Sequence, residues 1–156
     1  MVEDIDTVDR RLLAALQRDC TSTVDQMSER LGLSRNACWR RIKILDEKRV
    51  ITGRVALVDA EKLGVGLSVF IVARTSHHNP DWLKRFREAV SSFPEITGIY
   101  RMSGDIDYLL RARVADVKAY DRLYQRLIEK VPLDDISASF VMEEIKDTTI
   151  IPVEVR

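Results

Sequence analysis

Apolar positions in the first third of the chain recur at helical spacing. Ile5, Val8, Leu12 and Leu16 follow at three- and four-residue steps, with Asp9, Arg10, Arg11 and Arg18 between them. That pattern predicts an amphipathic helix capped by Asp6 or Thr7. Cys20-Thr21-Ser22 breaks it, and a short second helix is expected from about Thr23 to Leu31, burying Val24, Met27 and Leu31. Gly32 ends that helix, because glycine tolerates the left-handed turn a helix end requires. Ser34 then caps a third helix reading to about Lys48, with Cys38, Ile42 and Leu45 inward.

From Val50 the period changes. Ile51, Gly53, Val55 and Leu57 alternate with Thr52, Arg54, Ala56 and Val58, which predicts a strand, and Glu61–Gly66 reads as a loop or hinge. Leu67–Thr75 is a continuous apolar run suited to a buried strand. Asn79-Pro80-Asp81 opens a helix carrying Trp82, Phe86 and Val90. Ile96–Met102 and Tyr108–Val114 are strands joined by a turn at Ser103-Gly104-Asp105. Val117–Lys130 is a helix, Ile136–Glu144 alternates again as a strand, and a tail strand is expected over Thr149–Val155. The order after the hinge is βαββαβ, the ferredoxin-like arrangement. The expected organisation is therefore α+β: a helical unit at 1–50, a connecting strand and hinge at 51–66, and a ferredoxin-like domain at 67–156.

Composition narrows the class. Hydrophobic residues make up 46% and charged residues 32% of the 156, enough apolar material for a packed core in a mixed-charge globular chain. No apolar run approaches the roughly 18 residues a membrane helix needs. The acidic start, Met1-Val2-Glu3-Asp4, argues against a signal peptide. Cys20 and Cys38 make no disulfide framework, so a reduced cytoplasmic setting is expected. Net charge is zero, but residues 34–54 hold seven basic side chains against two acidic ones. A local basic segment inside a neutral protein is the electrostatic footprint of a confined contact with double-stranded DNA.

The second and third helices have the makings of a helix-turn-helix. Ser28 is small where the helices must touch, Gly32 sits at the sharp turn, and Met27, Leu31, Cys38 and Ile42 lock the crossing. The opposite face of the third helix then holds Arg35, Asn36, Trp39, Arg40 and Lys43. Arg and Asn are the side chains that read guanine and adenine edges, and Ser34 with the helix N-terminus suits a phosphate oxygen. Arg54 belongs to the same basic segment. A solvated basic face on an ordinary helical hairpin is the competing reading.

Nearly the whole chain resembles the Lrp/AsnC feast/famine regulators of bacteria and archaea. The likeness rests on Asp6-Thr7-Val8-Asp9-Arg10-Arg11-Leu12-Leu13, Leu33-Ser34 and Cys38-Trp39-Arg40-Arg41-Ile42-Lys43. Ile51-Thr52-Gly53, Lys62-Leu63-Gly64 and Gly104-Asp105-Ile106-Asp107-Tyr108 extend it. Arg49 departs from the pattern, since relatives commonly carry glycine there, and it bears on where the third helix ends. The resemblance implies a winged-type helix-turn-helix followed by a RAM/ACT-like domain. It also implies sheet-to-sheet dimers that often ring into octamers, a palindromic operator and a small amino-acid effector.

Gly104-Asp105-Ile106-Asp107 has two local readings. One is a hairpin turn using Gly and Asp for geometry. The other is a site whose backbone N–H groups hold an α-carboxylate while Asp105 or Asp107 faces the ammonium. The resemblance favours the second, with Met102, Ser103 and Tyr108 bordering the site and Ser137 and Ser139 supplying hydroxyls from the last strand. The His77 loop, Asp19-Cys20-Thr21 and Val141–Lys146 are most similar to the branch of the family linked to cysteine and other sulfur amino acids, with branched-chain amino acids and proline as competitors. His77-His78 points in two directions along the chain and has no further ligand at zinc-like spacing, so a solvated loop is expected and no metal. No nucleophile elbow, phosphate-binding loop, dinucleotide fingerprint or zinc-protease motif is present, so no enzyme and no cofactor is expected. The alternatives are a stand-alone amino-acid-binding module acting on an enzyme and a ligand-independent architectural DNA-binding protein.

Overall fold

Nine elements form in a computed structural model that describes residues 5–77 and 79–153. They fall into two units. The first comprises the helical residues up to Ala56 together with the segment from Lys146, and the second runs from Leu57 to Ile145.

In the first unit, α1 (Thr7–Arg18), α2 (Val24–Leu31) and α3 (Arg35–Glu47) each begin at a polar cap. The Asp6 carboxylate accepts the Asp9 N–H at 2.7 Å, and the Asp9 carboxylate accepts the Asp6 N–H in return. Thr23 and Gln26 make the same reciprocal pair at the start of α2. Ser34 Oγ accepts the Ala37 N–H at 3.2 Å. Each such cap satisfies an amide that the helix cannot, and is worth about 1 kcal/mol. Gly32 closes α2 at φ +67°, and the next amide, Leu33 N–H, reaches back to Ser28 O at 2.9 Å. That left-handed step turns α3 across α2. Leu12, Ala15, Met27, Leu31, Cys38 and Leu45 form the shared core, with Ile42 and Val24 packed on it. Ser28 is buried where the helices need a small residue, and its hydroxyl donates to Asp25 O.

The second unit is a four-stranded antiparallel sheet with two helices on one face. β1 (Leu67–Arg74) is central, paired with β3 (Tyr108–Val114) on one side and β4 (Asp135–Phe140) on the other. β2 (Ile96–Arg101) extends the sheet to give the order β2-β3-β1-β4. Both helices, α4 (Pro80–Ser91) and α5 (Val117–Lys130), stand where periodicity placed them. Val69, Ile71 and Ala73 of β1 and Leu110 and Ala112 of β3 are buried against Trp82, Phe86, Val90, Leu123 and Leu127. Trp82 stacks on Phe86 at 5.0 Å between ring centres, and Phe86 meets Tyr108 at 4.5 Å. The alternate residues Phe70 and Tyr100 are exposed, leaving apolar area on the other sheet face.

Four expectations need correction. Residues 50–58 form no strand: no strand among the described residues pairs with them, and Val55, Leu57 and Val58 are all more than two-thirds exposed. An isolated strand has no ladder to hold it. β4 stops at Phe140 rather than Glu144, because Val141 is the last residue to bond β1, through Ser68 O. Thr149–Val153 is not a strand, and the rest of that expected strand lies outside the described residues. The segment from Lys146 also groups with the helical unit rather than with the sheet.

Candidate nucleic-acid interface and effector site

The basic residues of α3 divide by the face they occupy. Arg41 stands beside the buried stripe and is taken up by α1. Its guanidinium lies 2.7 Å from Asp6 and 2.8 Å from Asp9. The Asp9 amide, and then Arg41, hold the Asp6 carboxyl below its ordinary range, while the two carboxylates raise Arg41. The charge that completes the α1 cap therefore also ties α3 to α1. Arg54 is likewise engaged, in a two-pronged pair with Asp46 at 3.1 and 3.2 Å.

The outward face is different. Asn36 and Arg40 are exposed, and neither has a hydrogen-bond or ion-pair partner among the described residues. Trp39 is 56% exposed, with the Lys43 ammonium 5.4 Å from its ring centre. Lys43 also reaches Glu47 at 3.7 Å, and Arg35 reaches Asp25 at 3.1 Å; both are open pairs that water already weakens. A large aromatic left in water beside an amide and a guanidinium suits base edges and a thymine methyl better than a folded core. Cys38 is buried on the inner side, and burial pushes its thiol up, which keeps it protonated and inert.

The β2–β3 turn is held in place from β1. Arg74 Nε donates to Asp105 O at 3.0 Å, and its other arm pairs with Asp135 at 2.6 Å. Asp107 accepts the Thr75 N–H at 2.9 Å, and Asp107 O receives the Met102 N–H at 2.9 Å. Gly104 adopts φ +111°, a conformation side chains disfavour. Met102, Ser103, Gly104 and Asp105 are exposed.

Asp105 is thus the carboxylate offered outward, while the Asp107 carboxylate is already engaged by the backbone. Tyr108 does not border the turn's outer surface: it is 6% exposed and packs in the core against Phe86 and Trp82. Period-two alternation explains this, since Tyr108 shares a sheet face with Leu110 and Ala112. Ser137 and Ser139 stand opposite Val72 and Phe70 on β4, with β1 between them and β3, and are not brought to the turn. Arg74 is the residue that sequence reasoning missed. Its signal was a charge closing the apolar run of β1. His77 is exposed, and His78 lies outside the described residues.

A locked helix pair with an exposed basic face, followed by a βαββαβ domain, defines a helix-turn-helix regulator with an attached sensing domain. Comparison with known proteins makes this specific. Residues 5–46 match the AsnC-type helix-turn-helix domain, and residues 68–151 match the Lrp/AsnC ligand binding domain. The chain belongs to the Lrp/AsnC family of transcription regulators. It is 47% identical over 152 residues to the glutamate uptake regulatory protein of Zymomonas mobilis, covering 97% of this chain and 93% of that protein. It is 46% identical over 151 residues to the DNA-binding transcriptional activator DecR of Escherichia coli, covering 96% and 99%. An AsnC family regulator from Agrobacterium tumefaciens superposes with a TM-score of 0.92 at 49% identity, over 94% of this chain and 96% of that one. A Neisseria meningitidis regulator in complex with L-Met superposes at 0.89 with 32% identity, over 94% and 96%. The first two relatives are named for different roles, and neither name specifies an effector for this chain.

Proposed function

We propose that this regulator binds a palindromic operator as a dimer, reading bases with Asn36, Trp39 and Arg40. Ser34, Arg35 and Lys43 lie beside the phosphates, and Arg54 joins them once it exchanges Asp46 for a phosphate. The observation that carries the reading is the outward face of α3, where an amide, a guanidinium and an indole stand exposed together and the first two have no partner among the described residues. One helix covers few base pairs, so two heads a helical turn apart, or a multiple of it, supply the affinity. The exposed apolar residues on the sheet face away from the helices, Phe70 and Tyr100, support pairing of two copies there, and such dimers can assemble further into octamers.

The effector in this reading is a small amino acid held at Met102–Asp105. The backbone amides of Ser103, Gly104 and Asp105 have no acceptor among the described residues and suit an α-carboxylate, and the Asp105 side chain suits the ammonium. The L-Met complex of the Neisseria relative supports testing methionine and cysteine first. The protein acts in the cytoplasm, where its DNA is, and regulates rather than catalyses. A gel-shift assay on the DNA around its own gene tests the head: salt-sensitive, sequence-dependent binding is expected. Calorimetry with the twenty amino acids tests the turn. Asp105→Ala is expected to abolish the effector response and keep ligand-free DNA binding. The same response in Asp105→Ala as in the parent would move the sensing site elsewhere.

A further inference from the structure

The end of β1 reaches the β2–β3 turn through a side chain. The last β1 residue paired with β3 is Ala73, opposite Tyr108, and the last paired with β4 is Arg74, opposite Asp135. Past Ala73, the Arg74 guanidinium takes over from the ladder. Its Nε donates to Asp105 O at 3.0 Å, and its Nη1 donates to the Asp135 carboxylate at 2.6 Å. Within the turn the backbone supplies little. Across residues 102–107, the one backbone–backbone bond among the described residues joins Met102 N–H to Asp107 O. The Asp105 carbonyl is therefore fixed from outside the turn, by another strand. Fixing that carbonyl fixes the peptide plane after Asp105. It also limits how the amides of Ser103, Gly104 and Asp105 can turn, and these have no acceptor among the described residues.

The residue type matters for this task. A charged donor makes a stronger hydrogen bond than a neutral one. A guanidinium is planar and offers its N–H groups in fixed directions, so it can hold a carbonyl and a carboxylate at once. A lysine ammonium is a compact charge on a flexible stem. In place of Arg74 it would keep the charge pair with Asp135 and lose the second fixed direction. The ion pair itself is open to water, with the two side chains 46% and 53% exposed, so it adds little to stability. The bond to Asp105 O is the part of the arrangement that bears on the turn.

We propose that Arg74 is a positioning residue for the effector: by holding Asp105 O, it keeps the amides of Ser103, Gly104 and Asp105 in the arrangement that accepts an α-carboxylate. The inference rests on the reading of Met102–Asp105 as the effector site. Arg74→Ala, Arg74→Lys and Asp135→Ala test it on the full chain. Calorimetry uses L-methionine first and then the other standard amino acids, beside amide NMR shifts of the ligand-free protein. Both Arg74 variants are expected to shift the amides of Ser103, Gly104 and Asp105. Both should bind the amino acid that the parent binds at least about tenfold more weakly. Arg74→Lys should melt close to the parent, which separates the lost bond from lost stability. Asp135→Ala removes the ion pair and keeps the bond to Asp105 O, so its affinity should stay within about threefold of the parent. Ligand-free DNA binding should be unchanged in all three. Turn amides that stay unshifted in Arg74→Ala overturn the brace. Shifted amides with parental affinity overturn its role in binding. A loss in Asp135→Ala as large as in Arg74→Lys assigns the effect to the ion pair and overturns the proposal. A parent that binds none of the twenty amino acids overturns the reading of the effector site, and the role of Arg74 with it, whatever the amide shifts show.

Discussion

The outward face of α3 keeps Asn36 and Arg40 without partners among the described residues, whereas the β2–β3 turn has Asp105 O and the Asp107 carboxylate bound into the fold. Both regions are rich in charge and both are exposed. The difference lies in what surrounds them. The outward face of α3 looks away from the rest of its unit, so its side chains meet few neighbours. The turn sits at the end of a sheet whose next strand supplies Arg74 and the Thr75 amide. A helix face can thus stay available for a partner without loosening the core. A sheet turn is first braced by its own neighbours, and only what remains, Asp105 and the amides around Gly104, is left for a ligand.

The comparison is broken most strongly at Tyr108. If this residue belongs to the core, Tyr108→Ala removes a ring packed against Phe86 and Trp82 and should destabilise by about 3–5 kcal/mol in denaturant unfolding. If it borders the effector instead, stability changes little and effector affinity falls. On α3 the expectation is the reverse. Arg40→Ala should weaken specific DNA binding by about 1–3 kcal/mol with an unchanged melting temperature. Unchanged affinity and footprint in a folded variant would remove Arg40 from the interface.

Most of the fold was legible because it rests on local rules: the caps at Asp6, Thr23, Ser34 and Asn79, the left-handed Gly32, and the continuous apolar run that becomes β1. The site was legible only in part. The face of α3 follows from helical period alone, so its outward residues could be named. Which charged groups are engaged depends on contacts far along the chain, and these set Arg41 against Asp6 and Asp9, and the Asp107 carboxylate against the Thr75 N–H. Residues 50–58 alternate as a strand does, but alternation cannot supply a partner strand.

Arg41 offers a smaller test of the same division. Arg41→Ala should lower stability at neutral pH and leave DNA contacts on the other face intact. The pH dependence has a definite sign. The Asp6 carboxyl is depressed in the folded state, by the Asp9 amide and then by Arg41. Its contribution is therefore present above the unfolded value near about 4 and is lost as pH falls through the folded value. The gap in melting temperature between parent and Arg41→Ala should close as the pH is lowered below about 4. A gap independent of pH would place the role of Arg41 elsewhere.

The smallest expected effect lies at the end of α3. Arg49 adopts φ +57°, and it is the only described residue other than glycine with positive φ. It follows the last turn of the helix: its N–H donates to Asp46 O at 3.1 Å, and the Val50 N–H reaches Leu45 O at 2.9 Å. Those bonds end the helix in the way a glycine normally does, and they pull Val50 and Ile51 onto the core beneath α3. The arginine thus occupies a position that a side chain adopts at a cost of roughly 1–2 kcal/mol. Arg49→Gly relieves that strain but adds backbone freedom to the unfolded chain, which offsets about half of it. The expected net is a gain of below about 1 kcal/mol, read as a raised midpoint in denaturant unfolding. Arg49→Ala keeps the strain and should gain nothing, which separates relief of backbone strain from loss of the side chain. If the guanidinium also touches a phosphate, both variants will bind DNA slightly more weakly and with a shallower salt dependence, by about one counterion. A fall in stability for Arg49→Gly alone would show that the arginine side chain, not its backbone, decides how α3 ends.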